Sequence, residues 1–407
     1  MSIWFDTTDI WDWREPQLTG IQRVVATVLG VGLRERDDLR LLRFDRPTQR
    51  FWEIGPDDLP PAVRRYGGID AAPAAPETRR NWLRFLRLGG GPDAQGRAPK
   101  AIGFSGGDTI VSLSLTWGYE GYWDAIDAAK AAGVRLVQLV HDLAPILQPQ
   151  WLPPDWKTMA VTWFEGVATR ADVILTVSRF QRGEIEGYLA SAGLGAAPVR
   201  VVRLGDDPPR LAAQSLPSPS ERERGPFVLC VSGFYPRKNH EALYEAWREL
   251  VPALGEACPM LLLVGDAPRL PLELLSRMAE DPLTKGRIRV RHDVTDEALA
   301  GLYRDCLFTV YPSHYEGWGL PIAESLRFGR YCIAGAAEAF PEVGGDLIDY
   351  ASDGPSLLAA VRRGIEDPAY VASREAGIRA RYRPRGWREA AGEIFAYVDP
   401  AAVRRAG

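Results

Sequence analysis

The stretch His314-Tyr315-Glu316-Gly317-Trp318-Gly319-Leu320-Pro321-Ile322-Ala323-Glu324 carries the strongest fold signal in this 407-residue chain. The run 306–311 before it is apolar and β-prone, which predicts a buried strand. Two glycines then indicate a loop, and Pro321 suits the first turn of a helix, where its missing N–H costs no hydrogen bond. We therefore predict a strand, a tight loop and a helix.

The start of this predicted helix is suited to an anion such as a phosphate. Its first-turn N–H groups have no partner within the helix, and the helix dipole places positive charge at the same end. Glu316 precedes the turn and Glu324 lies on the second turn, so the two carboxylates flank the anion from different sides. A pyrophosphate between a sugar and a ribose would fit, with each carboxylate accepting hydrogen bonds from hydroxyl groups. Two glutamates at this spacing are usually solvated, but the glycines and proline between them favour a functional interpretation.

Composition and charge are those of an ordinary soluble globular protein. Apolar residues make up 46% and charged residues 25% of the chain, and a net charge of −4 gives no argument for nucleic acid binding. A length of 407 residues predicts two or three domains. The four cysteines are far apart and mostly in apolar runs, which predicts buried, reduced thiols rather than disulfides or metal ligands.

The chain enters a strand pattern at Ile3–Asp6 without a signal-peptide pattern, and no apolar run approaches the roughly 20 residues that span a bilayer. We therefore expect a cytoplasmic protein. One segment could contact a membrane. Residues 71–100 are rich in Ala, Pro and Gly and enclose 79–88, which combines four arginines with five large apolar residues. This decapeptide is either a helix packed on the first domain or a basic amphipathic helix lying peripherally on the inner face of a membrane.

Strand and helix patterns alternate along most of the chain, which predicts α/β architecture with parallel sheets. A polar, Pro/Ser-rich stretch at 215–225 has linker composition and divides the alternation in two. The predicted strands cover 3–6, 109–113, 134–140, 173–177 and 199–202 before the linker, and 226–231, 260–265, 288–290, 306–311 and 331–334 after it.

The stretch His314–Glu324 closely resembles the E-x7-E motif of family 4 retaining glycosyltransferases. The resemblance implies the GT-B fold, in which two Rossmann-like domains with parallel sheets face an interdomain cleft and a final helix crosses back to the first domain. It implies that Glu316 lies at the donor sugar and that Glu324 binds the ribose hydroxyls. The remaining donor-binding residues that it implies here are Gly317, Trp318, Gly319 and Leu320.

On this plan the chain divides into three parts. Residues 1–217 would form the N-terminal, acceptor-side domain, with 71–100 as an insertion. Residues 218–385 would form the nucleotide-sugar-binding domain, and 386–407 the helix that returns to the first domain.

A second loop of the same family resembles Val231–His240, which follows a strand and enters a helix. Lys238 falls at the family's lysine for the donor pyrophosphate. The family's usual arginine, five positions earlier, is Gly233 here, which the resemblance places at the donor. Arg237 is expected to supply the second cation, as in the Pro-Arg-Lys-Asn variant of this loop in some members. Two solvated cations at a helix start are the structural alternative.

Two further stretches lie in the first half. His141 ends a predicted strand and begins His-Asp-Leu-Ala-Pro, a run similar to one in mannosyl- and rhamnosyltransferase-like members, and we expect it to donate a hydrogen bond to the donor sugar. A purely structural His141 remains open. Gly20 lies where the family has a flexible first loop that meets the donor phosphate or the acceptor. For the neighbouring Arg23, a cation on the helix surface is the structural alternative.

The resemblance implies a retaining hexosyltransferase that moves a sugar from a nucleotide-diphosphate sugar, GDP-mannose before dTDP- or UDP-sugars, to a glycan or lipid-linked acceptor in surface polysaccharide synthesis. No cofactor is expected. The four histidines lack paired ligand spacing and no Asp-x-Asp stands at a strand end, so metal independence is expected too. A nucleotide-sugar epimerase of similar fold and a non-catalytic nucleotide-sugar-binding protein are the alternatives.

Overall fold

A computed structural model of the chain describes residues 1–13, 18–69, 100–195, 197–207, 225–265, 272–292 and 294–398. Within these ranges the chain forms one eight-stranded and one six-stranded sheet with helices packed around them. The strands are β1 Ile3–Asp6, β2 Leu39–Asp45, β3 Arg50–Ile54, β4 Lys100–Ala101, β5 Thr109–Ser112, β6 Arg135–Val140, β7 Val173–Thr176, β8 Val199–Val201, β9 Phe227–Val231, β10 Met260–Val264, β11 Ile288–Arg291, β12 Thr309–Tyr311, β13 Cys332–Gly335 and β14 Asp349–Ala351.

The helices connect these strands and cover the sheets. They are α1 Thr8–Trp11, α2 Gly20–Glu35, α3 Pro61–Gly67, α4 Tyr122–Ala131, α5 Ala144–Leu147, α6 Pro154–Arg170, α7 Arg179–Ser191, α8 His240–Leu254, α9 Leu272–Glu280, α10 Asp296–Asp305, α11 Leu320–Arg327, α12 Phe340–Gly344, α13 Gly354–Glu366, α14 Pro368–Arg381 and α15 Trp387–Ala396.

The first sheet runs in the order β4-β3-β2-β1-β5-β6-β7-β8. It is parallel from β2 to β8, but β3 pairs antiparallel with both β2 and β4. The expectation of parallel strands was therefore incomplete at this edge. The β2–β3 hairpin is short enough to need no crossover helix, and Gln49 in its turn has a φ of 54°.

The second sheet runs in the order β11-β10-β9-β12-β13-β14 and is parallel throughout. Most of its strand residues are buried, as expected for strands covered on both faces by helices. The strand predicted over 306–311 is shorter than expected and covers only Thr309–Tyr311. Cys306 caps α10 instead, and Leu307 is 37% exposed, so an apolar run alone overestimated the strand.

The fold class predicted from the sequence is confirmed: two α/β sheets, parallel except at the β3 and β4 edge of the first, with a final helix that returns to the first domain. The other predicted strands lie within two residues of the observed bounds. The predicted boundary near residue 217 and the insertion 71–100, with its candidate membrane segment 79–88, lie outside the described residues except for Lys100 in β4. Those assignments stay predictions.

The final helix α15 packs on α2 of the first domain because α2 offers a glycine at the contact. A Cβ on Gly32 would lie 2.6 Å from the Phe395 ring, which is closer than any side chain allows. Phe395 is buried in the same apolar cluster as the α2 side chains. At the start of α15, the Trp387 indole Nε1–H donates to the Asp207 carbonyl at 2.8 Å. The chain crosses back to the first domain through these contacts.

We expect Phe395→Ala to lower the free energy of unfolding by about 3–5 kcal/mol, because it opens a cavity between α15 and α2. Urea denaturation followed by circular dichroism measures the change. Arg388→Ala on the same helix is the matched control: its side chain is 83% exposed and forms an exposed ion pair with Glu35, so the change should stay within about 1 kcal/mol. Equal effects of the two substitutions would contradict this account of the packing.

Candidate active site

The candidate site lies where the carboxyl ends of the two sheets meet. A Cβ on Gly317, after β12, would lie 2.1 Å from the carbonyl oxygen of His141, after β6. The Ser178 hydroxyl, after β7, donates to the Gly317 carbonyl at 2.8 Å. Gln181 Nε2 donates to the Tyr315 hydroxyl at 2.8 Å. The loop containing Glu316 is thus held against the first domain by direct contacts. This places it at the carboxyl ends of the strands, where parallel α/β sheets bind their ligands.

Helix α11 begins at Leu320, directly after the Gly-Trp-Gly turn, and Pro321 occupies its first turn. Gly319 has a φ of 120°, a conformation that strains any residue with a Cβ. No side chain caps the start of this helix. The turn therefore keeps the uncapped helix N-terminus that the sequence predicted.

Glu316 is buried and paired with both predicted cations. Its Oε1 accepts a hydrogen bond from Lys238 Nζ, and its Oε2 lies 2.9 Å from Arg237 Nη1. The Tyr311 hydroxyl donates to Oε1 at 3.0 Å and accepts from Lys238 Nζ at 2.8 Å. Two cations and one carboxylate leave a net charge of +1, which suits an incoming anion.

These charges shift one another's protonation. Burial alone would raise the pKa of Glu316, but Arg237 and Lys238 outweigh it and lower that pKa to about 2. Burial and the neighbouring Arg237 lower the pKa of Lys238 to about 8, against the opposing pull of Glu316. The carboxylate is therefore ionised at neutral pH, and a further negative charge beside Lys238 would strengthen the hold of that side chain on its proton.

Glu324 forms a separate cluster, as the spacing predicts. Its Oε1 accepts from Arg23 Nη2 at 2.8 Å, and its Oε2 accepts from the Tyr303 hydroxyl at 2.9 Å. Arg23 belongs to α2 of the first domain, so this ion pair crosses the cleft. The structural alternative, in which Arg23 is only a surface cation, does not hold: its side chain is 19% exposed and paired with the predicted ribose ligand.

His141 lies at the end of β6, but its ring is already engaged. Nε2 lies 2.8 Å from the Leu113 carbonyl oxygen, so Nε2 carries the proton and donates there. Burial lowers the pKa of His141, so the ring is neutral and Nδ1 carries a lone pair. We expected His141 to donate a hydrogen bond to a sugar. In this tautomer its free nitrogen, Nδ1, can instead accept a hydrogen bond from a sugar hydroxyl.

The remaining predicted residues take different places. A Cβ on Gly20 would lie 4.0 Å from the Leu320 side chain, so the first loop meets the start of α11 across the cleft. Gly233 lies between β9 and the short 3-10 helix Pro236–Lys238. Trp318 is buried with its ring 5.9 Å from the Arg203 guanidinium. Its indole Nε1–H is buried without a hydrogen-bond partner within the described ranges.

Sequence reasoning missed Arg23, Tyr303 and Tyr311 as site residues. Arg23 follows Gly20 by one helical turn, and that spacing was an available signal for a side chain on the same face. No local pattern marks the two tyrosines, because their importance comes from contacts with carboxylates 5 and 21 residues further along the chain.

Among the residues that the structure describes, no group of three or more His, Cys, Asp or Glu side chains is arranged to hold a metal ion. No helix in those ranges is both long and apolar enough to cross a bilayer.

The ion cluster makes a pH-dependent contribution to stability. Because its folded-state pKa of about 2 lies below the ordinary 4.5, Glu316 stabilises the fold above pH 4.5 and loses that contribution as the pH falls towards 2. We expect Glu316→Gln to cost roughly 2–4 kcal/mol at pH 7 and less at pH 3.5. Urea unfolding at both pH values measures the difference. Glu186→Gln, at a site that is 54% exposed, is the control, and a pH-independent cost for Glu316→Gln would contradict the assignment.

Residues 225–367 match the family model described as Glycosyl transferases group 1. Among curated relatives, O-antigen chain mannosyltransferase B of Escherichia coli is 28% identical over 240 residues, which cover 58% of this chain and 62% of the relative. Serotype-specific mannosyltransferase WbdA of Escherichia coli is 26% identical over 286 residues, covering 68% of this chain and 35% of the relative. The chain thus spans less than two thirds of the length of these two relatives.

Solved structures resemble the whole chain. Sucrose-phosphate synthase from Thermosynechococcus elongatus has a TM-score of 0.63 at 18% identity, with 100% of both chains covered. Anabaena HepE, in a complex with UDP and glucose, has a TM-score of 0.62 at 17% identity, covering 98% of this chain and 99% of that one. At such identities the likeness shows the fold alone. Together, the two largely parallel sheets and the solved structures show the GT-B fold, and the match over 225–367 and the mannosyltransferase relatives show that the chain is similar to the group 1 glycosyltransferases.

Proposed function

We propose that the protein is a retaining glycosyltransferase that moves mannose from GDP-mannose to a glycan or lipid-linked acceptor during surface polysaccharide synthesis. The observation that carries the proposal is the buried cluster in which Glu316 is paired with Arg237 and Lys238 at the meeting point of the two domains. Buried charges at a cleft are costly to the fold and are a common property of functional sites.

Each part of the donor has a proposed place in the cleft. Its diphosphate would lie between Arg237, Lys238 and the uncapped start of α11, where two cations and free N–H groups face an anion. The ribose would bind Glu324, four residues into α11, and the sugar would lie against Glu316. The preference for GDP-mannose follows from the resemblance of the two loops and from the names of the O-antigen mannosyltransferase relatives.

The proposed reaction is a front-face displacement, in which the acceptor enters on the side from which the nucleotide leaves. As the bond from the anomeric carbon to the diphosphate oxygen breaks, negative charge grows on that oxygen. Lys238 and Arg237 stabilise the charge by hydrogen bonds that strengthen in the transition state. The leaving phosphate accepts the acceptor's proton, so no side-chain base is required. His141 Nδ1 would accept a hydroxyl of the sugar and orient it.

A thermal-shift panel with GDP-, UDP- and dTDP-sugars tests the donor. A ligand at 100 times its dissociation constant should add about 2.7 kcal/mol to stability. Turnover is then measured with a lipid-linked oligosaccharide, and NMR of the product reports whether the anomeric configuration is retained. Isomerisation of the donor sugar without an acceptor would favour an epimerase, and binding without transfer or hydrolysis would favour a non-catalytic protein.

The cellular site of the reaction is part of the proposal. We place the reaction in the cytoplasm. An additional part of the proposal is that residues 79–88 contact the inner face of the membrane peripherally. Flotation of the protein with anionic vesicles, with and without the four arginines of that segment, tests the contact.

We expect Lys238→Ala to lower kcat/KM by about 2–4 kcal/mol in transition-state free energy, since it removes a cation from the leaving group. Tyr311→Phe is the matched control, because it removes the hydroxyl that donates to Glu316 and accepts from Lys238 but leaves both cations in place. Unfolding of both variants is followed in parallel. Turnover of Lys238→Ala within about threefold of wild type would refute this role.

The two glutamates should differ in their effect on free nucleotide. Glu324→Ala removes the ribose acceptor and should weaken GDP binding by about 1.5–3 kcal/mol in isothermal titration. Glu316→Ala should leave GDP binding intact or stronger, because it removes a negative charge from beside Arg237 and Lys238, and should mainly lower turnover. The reverse pattern would show that the motif is placed the wrong way round on the donor.

Activity should survive removal of divalent metals by EDTA, because Arg237 and Lys238 provide the positive charge that a metal would otherwise bring to the diphosphate. The measurement is the rate of sugar transfer before and after chelation. A loss of activity that Mg²⁺ or Mn²⁺ restores would reveal a metal requirement.

A further inference from the structure

Glu324 is covered by a side chain of the opposite domain. Arg23 Nη2 donates to its Oε1 at 2.8 Å, the Tyr303 hydroxyl donates to its Oε2 at 2.9 Å, and the residue is only 5% exposed. Arg23 comes from the first turn of α2, while Glu324 and Tyr303 belong to α11 and α10. Both carboxylate oxygens therefore already have a donor, and one of the two donors crosses the cleft.

The pair is charged as well as buried. Burial alone would lower the pKa of Arg23, but Glu324 opposes this effect and raises the pKa above its ordinary value, so the guanidinium keeps its charge. Solvent screens such a pair weakly, and removal of either partner leaves the other charge buried without compensation. Whatever replaces Arg23 at Glu324 must therefore supply hydrogen bonds of its own.

Because Glu324 is only 5% exposed, a ribose cannot reach its carboxylate while Arg23 covers it. A Cβ on Gly20 would lie 4.0 Å from the Leu320 side chain, so the start of α2 faces the start of α11 one turn before the ion pair. Access to Glu324 requires the first turn of α2 to move and Arg23 to leave. The ribose hydroxyls would then donate the hydrogen bonds that Arg23 gave up.

Arg23 has a second acidic neighbour with which it could pair after leaving Glu324. Asp296, at the start of α10, is close enough to raise the pKa of Arg23 and accepts a hydrogen bond from the Tyr66 hydroxyl at 2.5 Å. The Arg23 guanidinium also lies 6.0 Å from the centre of the Tyr66 ring. When Glu324 is occupied, Asp296 and Tyr66 can keep the displaced cation paired.

We propose that Arg23 is an interdomain latch that competes with the donor ribose for Glu324 and so couples nucleotide binding to separation of α2 from α11. The latch rests on the proposed function, because it takes Glu324 as the ribose ligand. Arg23 acts through Glu324 and is a positioning residue. Coupling arises because a ribose at Glu324 stabilises the unlatched state alone, whereas a ligand that binds both states equally would shift nothing.

Isothermal titration of the full chain with GDP, and with UDP in a parallel series, tests the latch. Arg23→Met removes the competitor, so nucleotide affinity should rise about fivefold or more. Inorganic pyrophosphate, which has no ribose, should bind wild type and variant equally. In a Glu324→Ala background, Arg23→Met should have no further effect on nucleotide affinity. Arg34→Met is the control on the same helix, since Arg34 donates to the Gly67 carbonyl within its own domain.

Arg23→Gln is the second variant, because it removes the charge but keeps a hydrogen-bond donor and disturbs the buried site less. Circular dichroism checks that each variant is folded. Unchanged or weaker nucleotide binding in the folded Arg23 variants overturns the latch, and so does a gain that persists without Glu324. If neither nucleotide binds wild type while another ligand class does, the proposed function fails instead, so the two failures are distinguishable.

Discussion

The pairing of Glu316 with Arg237 and Lys238 is the interaction on which the candidate site depends. All three charges are largely removed from water, so none can lose its partner without leaving an uncompensated buried charge. The pairing forces the loop after β9 and the loop after β12 together, which a backbone hydrogen bond from His314 N–H to the Arg237 carbonyl at 2.9 Å reinforces. Since β9 and β12 are neighbours in the sheet, the strand order brings these loops within reach.

The contact between the domains depends on small residues and on paired charges. Gly317 lets the motif loop touch the His141 carbonyl, where any side chain would clash. Around this contact, aromatic rings of the two domains meet: Trp151 stacks on His314 with ring centres 4.7 Å apart and planes 14° apart. The ring centres of Trp156 and Tyr235 lie 6.2 Å apart. These rings exclude water beside the ion cluster, which strengthens each electrostatic interaction within it.

The two glutamates of the motif therefore belong to two different kinds of interaction. Glu316 is neutralised by Arg237 and Lys238 of its own domain, so its pairing needs no cation from the first domain. Glu324 draws its cation, Arg23, from the other domain, so its pairing depends on the relative position of α2 and α11. A donor that spans both glutamates would meet one preformed site and one that must first be uncovered. Binding energy spent on the second site is available to change the domain arrangement.

The sequence by itself determined the parallel α/β class, most strand positions, the turn at Gly319 and the residues of the E-x7-E motif. The first three depend on local physics: the period of buried residues, the conformational range of glycine and the missing N–H of proline. The motif was identified by its resemblance to a glycosyltransferase family. The antiparallel edge at β3 and the early end of the 306–311 run were missed, because pairing partners and helix caps decide them. Only the tertiary structure decided that Arg23 is buried against Glu324 and that His141 Nε2 donates to the Leu113 carbonyl. It also decided that Tyr311 and Tyr303 donate hydrogen bonds to the two carboxylates. Those assignments join residues that are 5 to 301 positions apart, and no local pattern records which charges and hydrogen-bonding groups the packing of two domains will bring together.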